Sequence, residues 1–139
     1  MTWYQSTLQV DHHKSGCYLI THQVAEALSE FPHVTYGLLH LFLQHTSASL
    51  IINESADPDV VADLAMASHQ LAPESLPFKH ISEGRDDMPA HLKTALFGHD
   101  LTIPVSNGRL ALGTWQGIFL WEHRYVPRHR SIILTLTGS

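Results

Sequence analysis

In Gly37-Leu38-Leu39-His40-Leu41-Phe42-Leu43-Gln44-His45-Thr46-Ser47-Ala48-Ser49-Leu50-Ile51-Ile52-Asn53-Glu54, a hydrophobic run is cut by polar residues and then resumes. Gly37 to Gln44 predicts a strand. Leu39, Leu41 and Leu43 would face one side, and Leu38, His40, Phe42 and Gln44 the other. Apolar residues on both faces place it inside a sheet or sandwich. Ser49 to Glu54 predicts a second strand, or the same strand continued after a bulge. The His, Thr, Ser, Asn and Glu at the joints and ends are costly to bury unless they are satisfied. A strand that ends in such a cluster is how a rigid scaffold presents a site.

Thr2 to Val10 alternates and predicts a first strand. Asp11 to Gly16 reads as a turn, with His12 and His13 as surface residues pointing apart. Cys17 to Ile20 extends a strand, with Cys17 as a small buried hydrophobe. Thr21 can cap a helix carrying Val24 and Leu28, which Phe31-Pro32-His33 ends.

Downstream, Asp57 is a cap and Pro58 suits the first helical position. Val60, Leu64, Ala67 and Leu71 then recur at helical spacing, and Asp59 and Asp63 lie near the positive end of that helix. A polar segment from His80 to His91 leads into a further helix that Pro89 opens and Gly98 ends, with Asp86 and Asp87 as its caps. Leu101 to Val105 reads as a strand whose Pro104 marks an edge or bulge. Asn107-Gly108 is a type I′ hairpin turn. Gly113 to Gly117 breaks the sheet, Ile118 to Trp121 resumes it, Pro127 to Arg130 is a basic turn, and Ser131 to Thr137 is a last strand. About seven strands and two or three helices make a single α+β domain over 1–139 with a β-sandwich-like core.

Lys and Arg number 8 against 13 Asp and Glu, for a formal net charge of −5. That balance disfavours a general nucleic-acid surface. The single Cys excludes an intramolecular disulfide and suits a reducing, cytoplasmic setting. Met1 to Gln5 lacks the pattern of a secretory signal, and no uncharged apolar stretch is long enough for a membrane span.

The 12 histidines are the compositional outlier. His45, His80, His91 and His123 stand at strand ends or helix starts, where imidazole can hold a borderline metal or move a proton. None has the HExxH spacing. Taken singly, each is more often a satisfied structural residue. Glu54, Asp59, Glu83, Asp86, Asp87 and Glu122 are the carboxylate candidates for a base or a metal. Ser47 and Ser49 lack a nucleophile elbow. No phosphate-cradling glycine motif is present. Arg128 and Arg130 can clamp a phosphate or carboxylate, or simply be solvated charge.

The ordered set Gln44-His45-Thr46-Ser47-Ala48-Ser49-Leu50, Asn53-Glu54, Asp57-Pro58-Asp59-Val60, Glu83-Gly84, Asp87-Met88-Pro89-Ala90-His91-Leu92-Lys93, Gly108-Arg109 and Gly113-Thr114-Trp115-Gln116-Gly117 resembles the YjbQ family, also called UPF0047 or the secondary thiamine-phosphate synthase family. The resemblance runs over nearly the whole chain. It implies a single α+β domain, a homotrimer, a divalent metal (Zn or Mg) held by histidines, and weak thiamine-phosphate synthase activity. It carries His45, Asn53, Glu54, His80, Glu83, Asp87, His91, Thr114, Gln116, Glu122 and Arg130 as functional positions. Within that set, His45, His80 and His91 are the expected metal ligands. His45, Glu54, Glu83, Asp87, His91 and Arg130 are the expected catalytic residues. Asn53, Thr114, Gln116 and Arg128 are the expected binding residues. One turn departs from the pattern: relatives have a glycine-containing turn after the position of Glu122, whereas this chain has Val126-Pro127-Arg128-His129-Arg130. Arg128 therefore stands beside Arg130 as a phosphate-side candidate.

The implied reaction joins hydroxymethylpyrimidine diphosphate to thiazole phosphate, a transferase step. Its rivals are a metal-dependent reaction on another small phosphate compound and a non-catalytic trimer that binds a metabolite or metal. The expected partners are a small phosphorylated metabolite and further copies of the chain, with no nucleic acid and no membrane.

Overall fold

The hydrophobic run is interrupted at 44–47 because its two halves belong to different sheets. The computed structural model describes residues 1–11 and 14–139. The first half is β3 (Tyr36–Leu43) and the second is β4 (Ala48–Glu54). β3 is the middle strand of an antiparallel sheet in the order β1-β8-β3-β5-β6, with β1 (Thr2–Asp11), β5 (Asp100–Ser106), β6 (Arg109–Leu110) and β8 (His129–Gly138). β4 is an edge of a second antiparallel sheet in the order β2-β7-β4, with β2 (Gly16–Leu19) and β7 (Gln116–Glu122). Of the two readings of Ser49 to Glu54, the separate strand is correct. Three helices, α1 (Thr21–Ser29), α2 (Pro58–Leu71) and α3 (Asp87–Phe97), complete the α+β fold.

Period-two alternation supplies the core. Leu39, Leu41 and Leu43 of β3 and Ile132, Leu134 and Leu136 of β8 point inward and are essentially inaccessible. They share one cluster with Leu50 of β4, Ile118 and Leu120 of β7, and Val24 and Leu28 of α1. The opposite face of the larger sheet is open to solvent in the single chain. Trp3, Tyr36, Leu38 and Phe42 are exposed there.

The turns follow their residues. Asn107 and Gly108 both take positive φ, as a type I′ turn needs. Gly37 lies opposite Gly138, and a Cβ at Gly37 would stand 2.4 Å from the Thr137 carbonyl oxygen, so only glycine fits between β3 and β8. Pro104 lies just past the two residues of β5 that pair with β6, and its carbonyl accepts from the Ala111 N–H, so the missing N–H falls at the end of that pairing.

The caps are mixed. Asp57 caps α2 by accepting from the Asp59 N–H, with Pro58 in the first turn. The Thr21 cap is not formed: Ile20 holds the cap position, and the Thr21 hydroxyl accepts from the Ile118 N–H instead. Asp86 and Asp87 do not cap α3 either. Asp86 makes no capping bond because its carboxylate is turned to the side chain of Arg124. α3 begins at Asp87, so Pro89 lies inside its first turn.

Two burial expectations also shift. Ala67 and Leu71 of α2 remain exposed, on the wall of an open cleft that Ile52 of β4 and Leu96 and Phe97 of α3 also line. Cys17 is half-buried in β2 opposite Trp121, and burial pushes its thiol up to about 12. It is an inert side chain at neutral pH. His12 and His13 lie outside the described residues. Among the described residues no helix is long and apolar enough to cross a membrane.

Leu134 lies in the middle of β8 and is inaccessible to solvent. Leu134→Ala should lower unfolding free energy by about 2–5 kcal/mol, the range for a buried leucine whose cavity cannot collapse. Urea denaturation measures it, and a loss below about 1 kcal/mol would contradict the core assignment.

Candidate functional site

The crossing at 44–47 is pinned by a buried ion pair. Arg130, at the start of β8, donates from Nε to Glu122 Oε1 at 2.7 Å and from Nη2 to Glu122 Oε2 at 2.5 Å. The same Nη2 reaches the Ser47 carbonyl at 3.1 Å and its hydroxyl at 3.0 Å. Arg130 is 3% and Glu122 1% exposed, so this guanidinium is committed to the protein. One residue further on, the Ser131 N–H donates to His45 Nε2 at 2.8 Å. Burial, followed by the Arg130 charge, lowers the His45 pKa. The bond to Nε2 places the ring proton of neutral His45 on Nδ1.

Beside the crossing, three of the sequence candidates converge. His80, Asp87 and His91 present ligand atoms that all lie within 4.8 Å of one another. Asp87 Oδ2 is 2.9 Å from His80 Nε2 and 3.2 Å from His91 Nε2. Asp87 and His91 share a face of α3 through their i, i+4 spacing. Two outer contacts fix the arrangement. Arg124 Nη1 donates to Asp87 Oδ1 at 2.7 Å, which leaves Oδ2 to the imidazoles. His91 Nδ1 donates to the Thr46 carbonyl at 2.8 Å, which leaves its Nε2 lone pair facing Asp87 and His80. A ligating histidine is oriented in just this way by a second-shell carbonyl. An open cleft of about 560 Å³ adjoins His91 and is lined also by Phe42, Gln44, His45, Thr46 and His99.

Arg124 holds the polar segment before α3 in place. Besides Asp87 it binds Asp86 Oδ2 through Nε at 3.0 Å and the Glu83 carbonyl through Nη2 at 2.9 Å. Burial alone would raise the Asp86 pKa, but the Tyr125 N–H and Arg124 hold the carboxyl below its usual range. The opposite side of α3 carries Lys93, whose Nζ donates to His69 Nδ1 at 3.2 Å. Burial lowers the Lys93 pKa. Nearby, Ser49 Oγ and His123 Nε2 are 2.8 Å apart, both side chains buried. Burial above all, then the charges of Lys93 and Arg130, pushes His123 down to about 3.

The remaining candidates lie elsewhere. Asn53, Glu54 and Gln116 occupy the far end of the β4–β7 pair, since Glu54 faces Gln116 while Ala48 faces Glu122. Six strand steps separate the two ends, roughly 20 Å. There Asn53 Oδ1 accepts from the Glu54 N–H and Gln116 Oε1 from the Gly113 N–H, both at 2.8 Å, with Thr114 exposed between. Arg128 is exposed, and the side chain of Glu83 projects from an exposed turn. Sequence reading overlooked Arg124 and Lys93. The available signal for Arg124 was its place directly after Glu122-His123, at a strand end. Lys93 stands in the family motif, and a lysine two residues after His91 lies on a different face of the same helix.

His123 ties stability to pH. The unfolded chain takes up a proton at this ring near 6.5, whereas the folded chain refuses it until about 3. Within that window the unfolded state binds more protons, so stability falls as pH falls, by up to about 1.4 kcal/mol per pH unit from this group. Urea unfolding between pH 7 and pH 4 should show a steeper pH dependence in wild type than in His123→Asn. Equal slopes would mean that His123 is protonated in the folded protein.

The family model described as "UPF0047 protein YjbQ-like" matches residues 6–139. The chain is 48% identical to UPF0047 protein YjbQ of Salmonella typhimurium over 137 residues, 99% of each chain. It is 52% identical to UPF0047 protein sll1880 of Synechocystis sp. over 115 residues, 82% of this chain and 78% of that one. Among solved structures, a YbjQ-like protein from Sulfolobus solfataricus superposes with a TM-score of 0.89 at 25% identity, over 99% of both chains. Hypothetical protein APE1520 from Aeropyrum pernix gives 0.85 at 32% identity, over 98% of this chain and 99% of that one. A match of this extent, over the whole domain and in both sequence and fold, makes the chain a member of the UPF0047 YjbQ-like family.

Proposed function

We propose that this protein is a divalent-metal-dependent enzyme acting on a small phosphorylated metabolite, and that the reaction to test first is the joining of hydroxymethylpyrimidine diphosphate to thiazole phosphate. The observation that carries the reading is the convergence of His80, Asp87 and His91 beside an open cleft. Two imidazole nitrogens and one carboxylate oxygen are a ligand set that suits Zn²⁺. The fit extends beyond the three ligands, because Arg124 and the Thr46 carbonyl already hold Asp87 and His91 in the orientation a metal requires. A bound cation would supply positive charge to a departing phosphate group.

The protein's own groups take the other parts. In the synthase reaction the thiazole nitrogen attacks the pyrimidine methylene carbon as the carbon–oxygen bond to diphosphate breaks. The products are thiamine phosphate and diphosphate. His45, with Nδ1–H free of the Ser131 contact, is placed in the cleft wall to donate a hydrogen bond to a phosphate oxygen. Holding both substrates in one cleft supplies the positioning part of the rate. Arg130 is reassigned in this reading to hold Glu122 and Ser47, and the phosphate contact passes to His45 and the metal site.

We propose further that the protein assembles as a homotrimer. The exposed outer face of the larger sheet supports an assembly. Trp3 of β1 and Leu38 of β3 both pair with Thr137 of β8, whose hydroxyl is buried without a partner. A second copy covering that face would remove apolar surface from water.

Metal-replete protein should carry about one divalent ion per chain, and His91→Ala should lose it while its melting curve stays cooperative. Wild type with Zn²⁺ or Mg²⁺ and both precursors should form thiamine phosphate, and His91→Ala should form at least ten-fold less. Metal retained in His91→Ala would sink the metal centre. Metal bound but no thiamine phosphate formed would move the reading to another phosphorylated substrate. Sedimentation equilibrium should return about three times the 15.6 kDa chain mass, and a monomer at micromolar concentration would defeat the trimer.

A further inference from the structure

α3 separates two cavities. His91, Thr94 and Ala95 face the first, and the second, of about 380 Å³, is lined by Pro89 and Lys93 of the same helix together with His69, Glu74, His123 and Tyr125. Lys93 is only 6% exposed. Among the described residues it has no carboxylate within ion-pair distance, and its one hydrogen bond goes to His69. An ammonium group carries three protons, so two remain for another acceptor. A lysine buried this deeply is nearly always paired.

His123 adds an independent observation. It is 4% exposed, its Nε2 is bonded to Ser49, and its Nδ1 is buried with no partner. Lys93 and His123 line the same cavity. Ser49 can either accept from Nε2–H or donate to bare Nε2, so the ring is free to carry its proton on Nδ1 when an acceptor faces that atom.

The negative groups of the wall are mostly spoken for. Asp86 is held by Arg124 and the Tyr125 N–H. Glu74 hydrogen-bonds the Tyr125 side chain. That leaves two ammonium protons of Lys93 and the Nδ1 of His123 without a partner.

We propose that this second cavity is a binding site for a small organic anion, whose carboxylate or phosphate oxygens are taken by Lys93 Nζ and His123 Nδ1–H. A buried cation and a buried N–H converging on one cavity form charge-assisted hydrogen bonds to such an oxyanion and satisfy both groups at once. The site is separate from the metal reading, since none of its residues is a proposed metal ligand.

The test follows the histidine side chains of metal-free wild type by ¹H–¹⁵N NMR, with His123→Asn used for assignment. Inorganic phosphate and acetate are titrated in turn. Saturable shifts of the His123 ring nitrogens with one probe are expected, and which probe saturates identifies the oxyanion. Lys93→Met should weaken that binding at least ten-fold, while His91→Ala and the exposed-site control Lys79→Met should leave it within two-fold. Absence of saturation by both probes up to tens of millimolar, seen in wild type and so independent of any variant's folding, overturns the proposal. Equal affinity in folded Lys93→Met overturns it, as does loss of binding in His91→Ala, which would put the anion at the metal cluster.

Discussion

The bidentate pair between Arg130 and Glu122 is the contact on which the site depends. Glu122 ends β7 in one sheet, Arg130 lies at the start of β8 in the other, and Ser47 lies on the crossing from β3 to β4. One guanidinium thus fixes three pieces of chain at the point where the sheets meet. Two buried charges lose much of their hydration, and their geometry must be good for the exchange to break even. Here every donor position in use meets a carboxylate or Ser47 oxygen. Removing either partner would strand a charge in the interior, at a cost of about 3–5 kcal/mol. His45 follows from this pair, because the strand residue after Arg130 supplies its hydrogen bond.

A second arginine does for α3 what Arg130 does for the crossing. Arg124 gathers Asp86, Asp87 and the Glu83 carbonyl, so a segment of consecutive acidic residues is held in one conformation rather than repelling itself apart. Asp87 divides its two oxygens between Arg124 and the imidazoles. That division explains why a carboxylate only 2% exposed is tolerated beside an open cleft. It also separates the roles of the two aspartates, which are indistinguishable in sequence.

Much of the fold was legible from alternation and punctuation. Leu39, Leu41 and Leu43 announced the inward face of β3, Asn107-Gly108 the type of the β5–β6 turn, and Asp57-Pro58 the start of α2. What sequence could not decide was whether Ser49 to Glu54 stayed in the same sheet, because period-two patterning carries no information about which sheet a strand joins. The helix caps misled for a related reason. Thr21, Asp86 and Asp87 are ordinary capping residues, and each was drawn to a partner distant in sequence. In the site, residue type and the family motif singled out His80, Asp87 and His91, but the metal ligands expected were His45, His80 and His91, and Asp87 stands in the cluster where His45 was expected. Their separation from Asn53, Glu54 and Gln116 was not anticipated, since a strand pair places its two ends far apart however close the motifs stand in the chain. Lys93 and Arg124 went unassigned because burial, which makes a cation informative, is a property of packing.

β8 lies between β1 and β3, yet it is the last strand in chain order. Thr2 pairs with Gly138, a separation of nearly the whole described chain. During synthesis β1 and β3 must therefore wait, each with an unsatisfied edge, until the segment that fits between them has left the ribosome. Contacts of such long sequence separation fold slowly, and waiting strand edges are where chains aggregate. Because Arg130 and Ser131 belong to that same strand, a one-residue slip in its register would turn Arg130 outward and abandon Glu122. Completion of the larger sheet and assembly of the polar junction are thus a single event in the birth of the molecule, and a nascent chain that lacks its final strand has neither.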